Sequence, residues 1–187
     1  MNPVVTGSKD LRVWIEGAIV AALAIILSLI PLKIGSSFSV SLGMIPLTIY
    51  GIRRGLVPGL FSGLVWGLLH FATGDVTYLT VSQVLIEYVV AFTFAGFSGL
   101  FSKKIQEKNS ISISSLIVST LVGGLARYFW HFIAGVIFWG KYAMWGMSPV
   151  VFSLVMNGIS CLATCGVTIG VLILLNQMMP SLFIVKK

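Results

Sequence analysis

Charged residues are scarce in this sequence, and their scarcity excludes a soluble globular fold. The 187 residues include only twelve Lys or Arg and five Asp or Glu, together 9% of the chain, whereas 57% are hydrophobic. A soluble domain has about 25% charged residues, because its surface faces water. A disordered chain would be rich in charge and poor in apolar residues, which is the reverse composition. The composition therefore indicates an integral membrane protein.

Motifs for catalysis, metal binding and nucleotide hydrolysis are lacking as well. Two cysteines are too few for a disulfide framework, and the sequence has no GxxxxGK[ST], CxxC or HExxH pattern. The net charge of +7 does not indicate nucleic-acid binding, because the basic residues lie between apolar segments instead of forming one basic stripe. We therefore expect no catalytic residue, no metal and no cofactor. Any uphill transport would need energy from another protein.

Long apolar segments predict an all-α bundle of six transmembrane helices, because one crossing needs about 20 apolar residues. The whole chain, 1–187, is predicted to be a single transmembrane domain. The second span has only fourteen residues, so it is predicted as a tilted or broken element that its neighbours shield. The predicted spans are 11–30, 39–52, 55–72, 79–101, 111–139 and 148–175.

The basic residues favour six spans with both termini in the cytoplasm. In that orientation nine Lys or Arg lie in cytoplasmic segments, whereas the external loops have only Lys33 and Lys141. This distribution follows the positive-inside rule. Without the second span, Arg53 and Arg54 would lie on the wrong side. The cytoplasmic residues are Lys9, Arg12, Arg53, Arg54, Lys103, Lys104, Lys108, Lys186 and Lys187.

Two charged residues lie well inside predicted spans, Glu87 in the middle of the fourth and Arg127 in the fifth. Each costs at least about 2.5–3.5 kcal/mol unless it finds a partner or water. Either the two pair and fix helix packing, or they belong to a binding site. Depth favours a site, because Glu87, His131 and Asn157 each lie about 12–13 Å below the outer ends of their spans, and Trp66 about 9 Å. Four spans thus converge where a pocket filled from outside would lie.

The fifth span has its polar and aromatic residues on one face. Arg127, His131, Gly135 and Trp139 are spaced four residues apart, which places them on a single helical stripe. Gly135 is predicted to leave a gap where a flat ring could approach the backbone. Tyr88 is predicted to flank the pocket, although on an α-helix it points about 100° away from the residue before it.

Small residues form two further patterns. Gly59, Gly63 and Gly67 make a ridge on the third span, which predicts close internal packing against a neighbouring helix. Ala18 and Ala22 are four residues apart on the first span. They indicate either a smooth internal seam or a docking face for another membrane protein.

Several segments resemble signatures of a known family, the thiamine-specific substrate-binding subunits of energy-coupling factor transporters. They are SQVLIEY at 82–88, RYFWHFIAGVIFW at 127–139 and NGIS at 157–160. The turn at 53–55 and the Trp-Gly pair at 66–67 are similar too, so the resemblance covers nearly the whole chain.

The resemblance implies a function and a set of partners. It implies a six-helix bundle in a bacterial cell membrane that binds thiamine from outside. It also implies a transmembrane coupling subunit and two ATPase subunits, which supply the energy for uptake. Ala18 and Ala22 match the docking motif of the family's first helix.

The resemblance also implies roles for individual residues. Glu87 is similar to the carboxylate that meets the cationic ligand, and Trp139 to a residue that stacks on a ligand ring. His131 and Asn157 resemble polar contacts that fix the orientation of the ligand. Two further positions that line the family's pocket are occupied here by Tyr88 and Trp66.

Four positions depart from the family's pattern. Arg127 stands where the family usually has lysine, and Phe152 where it has a pocket tyrosine. Ser37 replaces an aromatic residue of the first external loop, and Tyr78 is shifted by one position in the third. These differences affect the expected affinity and lid more than the expected ligand.

Three alternatives to thiamine binding stay open at this point. The same architecture would suit a related ligand such as a pyrimidine precursor, which lacks the thiazolium and would not need Glu87. A small intramembrane enzyme would use Glu87 and His131 as acid and base, and would alter its bound ligand chemically. A structural subunit without ligand would only pair Glu87 with Arg127, so that apolar replacement of both would leave its function intact.

Overall fold

The structure is a computed structural model and describes residues 10–34 and 38–185. The predicted contributions of Lys9, Ser37, Lys186 and Lys187 lie outside the described residues. The helical segment that begins at Val81 is π-helical over Leu85–Val90 and contains a short 3-10 segment at Gly96–Gly99. The elements are α1 Leu11–Ser28, β1 Lys33–Ile34, β2 Phe38–Ser39, α2 Met44–Arg54, α3 Leu56–Thr73, α4 Val81–Val84, α5 Ala91–Ala95, α6 Ser102–Lys108, α7 Ile113–Ile137 and α8 Pro149–Met178.

Five helices within the described residues are long and apolar enough to cross a membrane, which confirms a helical membrane protein. Each overlaps one predicted span, and the largest difference is at 79–101, where the helix continues through α6. The five are Leu11–Ser28, Leu56–Thr73, Val81–Lys108, Ile113–Ile137 and Pro149–Met178.

The predicted span 39–52 differs most from the structure. Its first residues form β2 of a small antiparallel hairpin, in which Lys33 pairs with Ser39. The sequence from Phe38 to Ser41 alternates apolar and polar residues, a pattern typical of a strand and not of a helix. The helix that remains, α2, has eleven residues and is about 16 Å long, which is shorter than a membrane core.

The short helix α2 lies in the middle of the bundle, where it contacts α1, α3, α6 and α8. One face is fully buried, including Met44, Leu47 and Ile52. Pro46 lies in its first turn, where a missing N–H does not break the helix. Gly55 follows α2 with a φ of +102°, and this left-handed conformation lets the chain enter α3 after a single residue.

The end of α2 fastens together the two ends of the described chain. Arg53 and Arg54 both pair with Glu16 of α1, at 3.2 Å and 2.5 Å between nitrogen and oxygen atoms. Arg53 also donates hydrogen bonds from Nη1 to three backbone carbonyls near the C-terminus. This closes the bundle at the end where α1 begins. The three carbonyls belong to Ser181, Leu182 and Ile184.

The glycine ridge of α3 packs against the chain segment 88–96, which confirms the predicted internal packing. A Cβ at Gly63 would overlap the carbonyl oxygen of Phe92, and a Cβ at Gly67 would overlap that of Tyr88. At Gly59 a Cβ would be 2.8 Å from the carbonyl oxygen of Gly96. Because these three glycines have no side chain, α3 touches the backbone of segment 88–96 directly.

We expect Gly67→Ala to lower the free energy of unfolding by about 1–3 kcal/mol, because the new methyl group would push against a backbone carbonyl that cannot swing away. Thermal unfolding in detergent measures the change. Gly166→Ala on α8 is the matched control, since nothing lies within 4 Å of a Cβ there, and it should unfold at the wild-type temperature or slightly above. Equal stability of both variants would contradict the close approach.

Candidate functional site

A cavity of about 500 Å³ lies at the end of the bundle where α1 finishes. Its walls come from the chain after α1, the β-hairpin, the end of α3, the π-helical segment, α7 and α8. The cavity brings together seven of the eight residues predicted for a pocket. These are Glu87, Tyr88, Arg127, His131, Gly135, Trp139 and Asn157.

The carboxylate of Glu87 is held by two hydrogen-bond donors. Trp139, just after the end of α7, donates from Nε1 to Oε1 at 2.7 Å, and Gln83 donates from Nε2 to Oε2. Over residues 10–34 and 38–185, no ion pair joins Glu87 to a cationic side chain. A partly buried carboxylate without a cation is expensive, so this site suits a positively charged ligand.

The π-helical segment contributes two adjacent residues to the cavity. Glu87 and Tyr88 both lie within Leu85–Val90, whereas the sequence predicted an ordinary α-helix. A π-helical turn closes its hydrogen bonds one residue later than an α-helical turn, and such turns are frequent at functional sites. The hydroxyl of Tyr88 accepts a hydrogen bond from the backbone N–H of Thr77 at 2.9 Å.

The guanidinium of Arg127 lies in a cage of aromatic rings. Its central carbon is 4.2 Å from the ring centre of Phe92, 4.9 Å from that of Trp66 and 5.4 Å from that of Tyr128, distances at which cation–π attraction acts. The side chain is almost fully buried, at 5% exposed. Its Nε and Nη1 have no hydrogen-bond partner among the described residues. Within the part of the chain that the structure describes, Arg127 forms no ion pair with a carboxylate, and these two donors remain unused.

Trp66 lies one layer behind the cavity and does not line it. The side chain is fully buried between α1 and α2, against Ala24 and Met44. Its Nε1 donates to the hydroxyl of Ser28 at 3.1 Å, and its ring supports Arg127. Its depth in the membrane was predicted from the helical rise, but the side on which it faces depends on contacts between distant segments.

The wall between α7 and α8 is polar on the cavity side. The ring of His131 lies beside Tyr128, and its Nε2 is buried without a partner in the described chain. Asn157 donates from Nδ2 to the carbonyl and hydroxyl oxygens of Ser153, at 3.0 and 3.1 Å. A Cβ at Gly135 would overlap the Ser153 hydroxyl. Gly135 thus lets α8 approach α7, where the sequence predicted a gap for a ligand ring.

A group of polar and charged residues at the cavity was not predicted from the sequence. Asp75 lies 3.4 Å from Nδ1 of His70 and 3.7 Å from Nζ of Lys33, measured from its carboxylate oxygens. The contacts join the β-hairpin, the end of α3 and the following loop. His70 lies four residues after Trp66 on α3, and this spacing was the available signal. Tyr78, the shifted tyrosine of the same loop, is mostly exposed.

Ala18 and Ala22 are exposed on the outer surface of α1, whereas Ala21 and Ala24 on the opposite face are fully buried. The internal packing surface of α1 is therefore formed by Ala21 and Ala24. The first pair leaves a shallow strip on the surface of the bundle.

Comparisons with known proteins agree along nearly the whole chain. The sequence model of a family described as thiamine transporter protein (Thia_YuaJ) matches residues 14–184. The sequence is 39% identical over 187 residues to the thiamine transporter ThiT of Lacticaseibacillus paracasei, covering 95% of this chain and 93% of that protein. It is 34% identical over 184 residues to ThiT of Bacillus subtilis, covering 94% and 95%. A solved structure of ThiT from Listeria monocytogenes superposes with a TM-score of 0.90 at 48% identity, covering 95% of this chain and 100% of that one.

Proposed function

The chain belongs to the thiamine transporter protein family, and we propose that it captures thiamine in the cavity beside Glu87 for uptake by partner subunits. Its curated relatives are named as transporters and not as enzymes, so we do not assign an acid–base reaction to Glu87 and His131. The observation that carries the proposal is the Glu87 carboxylate, which lies in the cavity with two hydrogen-bond donors but with no ion pair to a cationic side chain of residues 10–34 and 38–185. Thiamine has a permanent positive charge on its thiazolium ring.

The cavity suits the two ends of thiamine. A volume of about 500 Å³ is within the range of small-molecule sites. We propose that Glu87 balances the thiazolium and that the indole of Trp139 stacks on a ligand ring. At the other pole, unpartnered donors of Arg127 and the polar edges of His131 and Asn157 would meet the nitrogen atoms of the pyrimidine. Tyr88 and Gly135 would shape the walls.

Six crossings with both termini in the cytoplasm are part of this proposal. The end of α1 and the end of α3 both reach the cavity rim, whereas α2 ends beside Glu16, near the start of α1. The hairpin and α2 together would therefore bring the chain back across the membrane. Basic residues at the end opposite the cavity, including Arg53 and Arg54, support a cytoplasmic location for that end. The membrane would be the cell membrane of a bacterium.

Uptake against a gradient needs a source of energy, and the sequence contains no phosphate loop for ATP. We propose that a transmembrane coupling subunit and two ATPase subunits of the energy-coupling factor type supply it. The exposed strip at Ala18 and Ala22 is the proposed docking face, because small side chains let another helix approach closely.

Comparison of binding with uptake tests this proposal. Ala22→Trp should block transport of labelled thiamine by cells that express the complete transporter, because the large ring prevents docking, while the purified variant binds thiamine as the wild type does. Leu162→Trp is the matched control, since this residue on α8 is 71% exposed and lies away from α1. Wild-type uptake by Ala22→Trp would place the docking face elsewhere. Lack of uptake by the wild-type transporter would contradict the function itself.

A further inference from the structure

We propose that Gln83 is a positioning residue that connects the ligand-binding carboxylate of Glu87 to the loop 74–80 at the cavity rim. Through this connection, a ligand on Glu87 would hold the loop in place. The inference rests on the proposed function of Glu87 and adds a residue outside the cavity lining.

Gln83 is fully buried, at 0% exposed, and its amide is completely used by hydrogen bonds. Nε2 donates both to the carboxylate of Glu87 and, at 3.1 Å, to the backbone carbonyl of Thr77. Oε1 accepts from the backbone N–H of Leu79 at 3.0 Å. Two acceptors face Nε2 and one donor faces Oε1, so only this orientation of the amide satisfies all three partners.

The loop has other attachments to the helical bundle as well. Thr77 donates its N–H to the hydroxyl of Tyr88, and Thr80 accepts hydrogen bonds from the N–H groups of Gln83 and Val84. Asp75 donates its N–H to the carbonyl of His70 and forms an ion pair with Lys33. The ion pair with Lys33 is partly exposed, and pairs of this kind contribute little. The buried amide of Gln83 joins this loop to the carboxylate of Glu87 in the π-helical segment.

A ligand bound at Glu87 would restrict the loop through the hydrogen bonds of Gln83. A cation beside the carboxylate restricts Oε1 and Oε2, and the restricted carboxylate fixes the Nε2 donor of Gln83. The same amide then restricts Thr77 and Leu79 in the loop. Binding that orders one segment through another couples the two in free energy, with no need for a large displacement.

Hydrogen exchange of the loop tests this connection. The readout is a peptide covering residues 74–78, which leaves out Leu79, whose N–H loses its acceptor in the variant whether or not ligand is bound. In the wild type, saturating thiamine should slow exchange of this peptide by about 5- to 150-fold, the usual range of coupling between sites. In Gln83→Met, saturating thiamine should bind yet slow it by less than about 2-fold, because the donor to Glu87 is gone.

Gln106 provides a matched control. It is the second buried glutamine with a fully used amide, bonded to the carbonyls of Ile52 and Phe183 and to the N–H of Val185. These contacts lie at the opposite end of the bundle. Gln106→Met should therefore lower stability as Gln83→Met does, but keep the ligand-induced protection of residues 74–78.

The outcomes separate this inference from the proposed function. If the wild type does not bind thiamine, the proposed function is overturned. If the wild type binds thiamine without protection of the loop, or if Gln83→Met gains wild-type protection at saturation, only the connection through Gln83 is overturned. Should Gln83→Met fail to fold, Gln83→Asn gives the same reading, because it keeps a neutral amide but is one methylene too short to join Glu87 and the loop at once.

Discussion

Replacing Glu87 with glutamine is expected to weaken thiamine binding by about 100-fold, since loss of one partner of a buried charge pair costs about 2–5 kcal/mol. The amide has the same shape as the carboxylate, so the π-helical segment should remain folded. The positive thiazolium would then enter the cavity with no negative charge to balance it. Titration of the purified variant with thiamine measures the loss.

Two comparisons make this result specific. Glu16→Gln removes a carboxylate that pairs with Arg53 and Arg54 at the opposite end of the bundle, and it should leave the affinity for thiamine unchanged. A pyrimidine precursor without the thiazolium should bind equally to the wild type and to Glu87→Gln. Equal losses for thiamine and for the precursor would show that Glu87 does not recognise the charge.

Trp139→Ala is expected to weaken thiamine binding by about 100-fold, because it removes both a stacking surface and the hydrogen bond to Glu87. A cation–π contact contributes about 0.5–2 kcal/mol, and a hydrogen bond to a charged group about 1.5–3 kcal/mol. Trp139→Phe keeps a ring and loses only the N–H, so its loss should be nearer about 10-fold. The same titration separates the two contributions.

Trp130→Phe is the control for the tryptophan series. Trp130 lies on α7 as well, but its ring contacts Phe94 and Phe129 and does not line the cavity. It should bind thiamine as the wild type does. A loss for Trp130→Phe as large as that for Trp139→Phe would indicate general damage to α7 and contradict a direct role of Trp139.

Much of this architecture is predictable because membranes impose simple rules on composition. Few charges and long apolar segments identified the helices that cross the membrane. The helical spacing from Arg127 to Trp139 placed four residues on one face, and the structure brings all four to the cavity. The glycine ridge of α3 predicted a close internal contact, which its neighbours in the structure confirm.

Local departures from regular helix were not predictable in the same way. The π-helical turn around Glu87 and Tyr88 has no signal in the sequence, although both residues were predicted for the pocket and both line the cavity. The β-hairpin at Lys33 takes up part of a predicted span. It was not predicted, because alternation of apolar and polar residues over only a few positions is a weak signal.

Side chains that act through others were missed for a related reason. Gln83 lies inside a recognised segment, yet its importance comes from a loop that folds back over it. Trp66 supports Arg127 from behind the cavity, because the small residue Gly43 and the α1 seam leave room for its ring there. Neither the contact of Gln83 with the loop nor that of Trp66 with Arg127 follows from depth and spacing along one helix.

Titration of the purified protein with thiamine in detergent, followed by intrinsic tryptophan fluorescence, tests the central claim most directly. The chain has five tryptophans, and Trp139 lies in the cavity wall beside Glu87, so a ring stacked on it should quench the signal. We expect saturable quenching at sub-micromolar thiamine, and in Glu87→Gln the same quenching only at about 100-fold higher thiamine. No saturable change in wild-type fluorescence up to high micromolar thiamine would contradict the account.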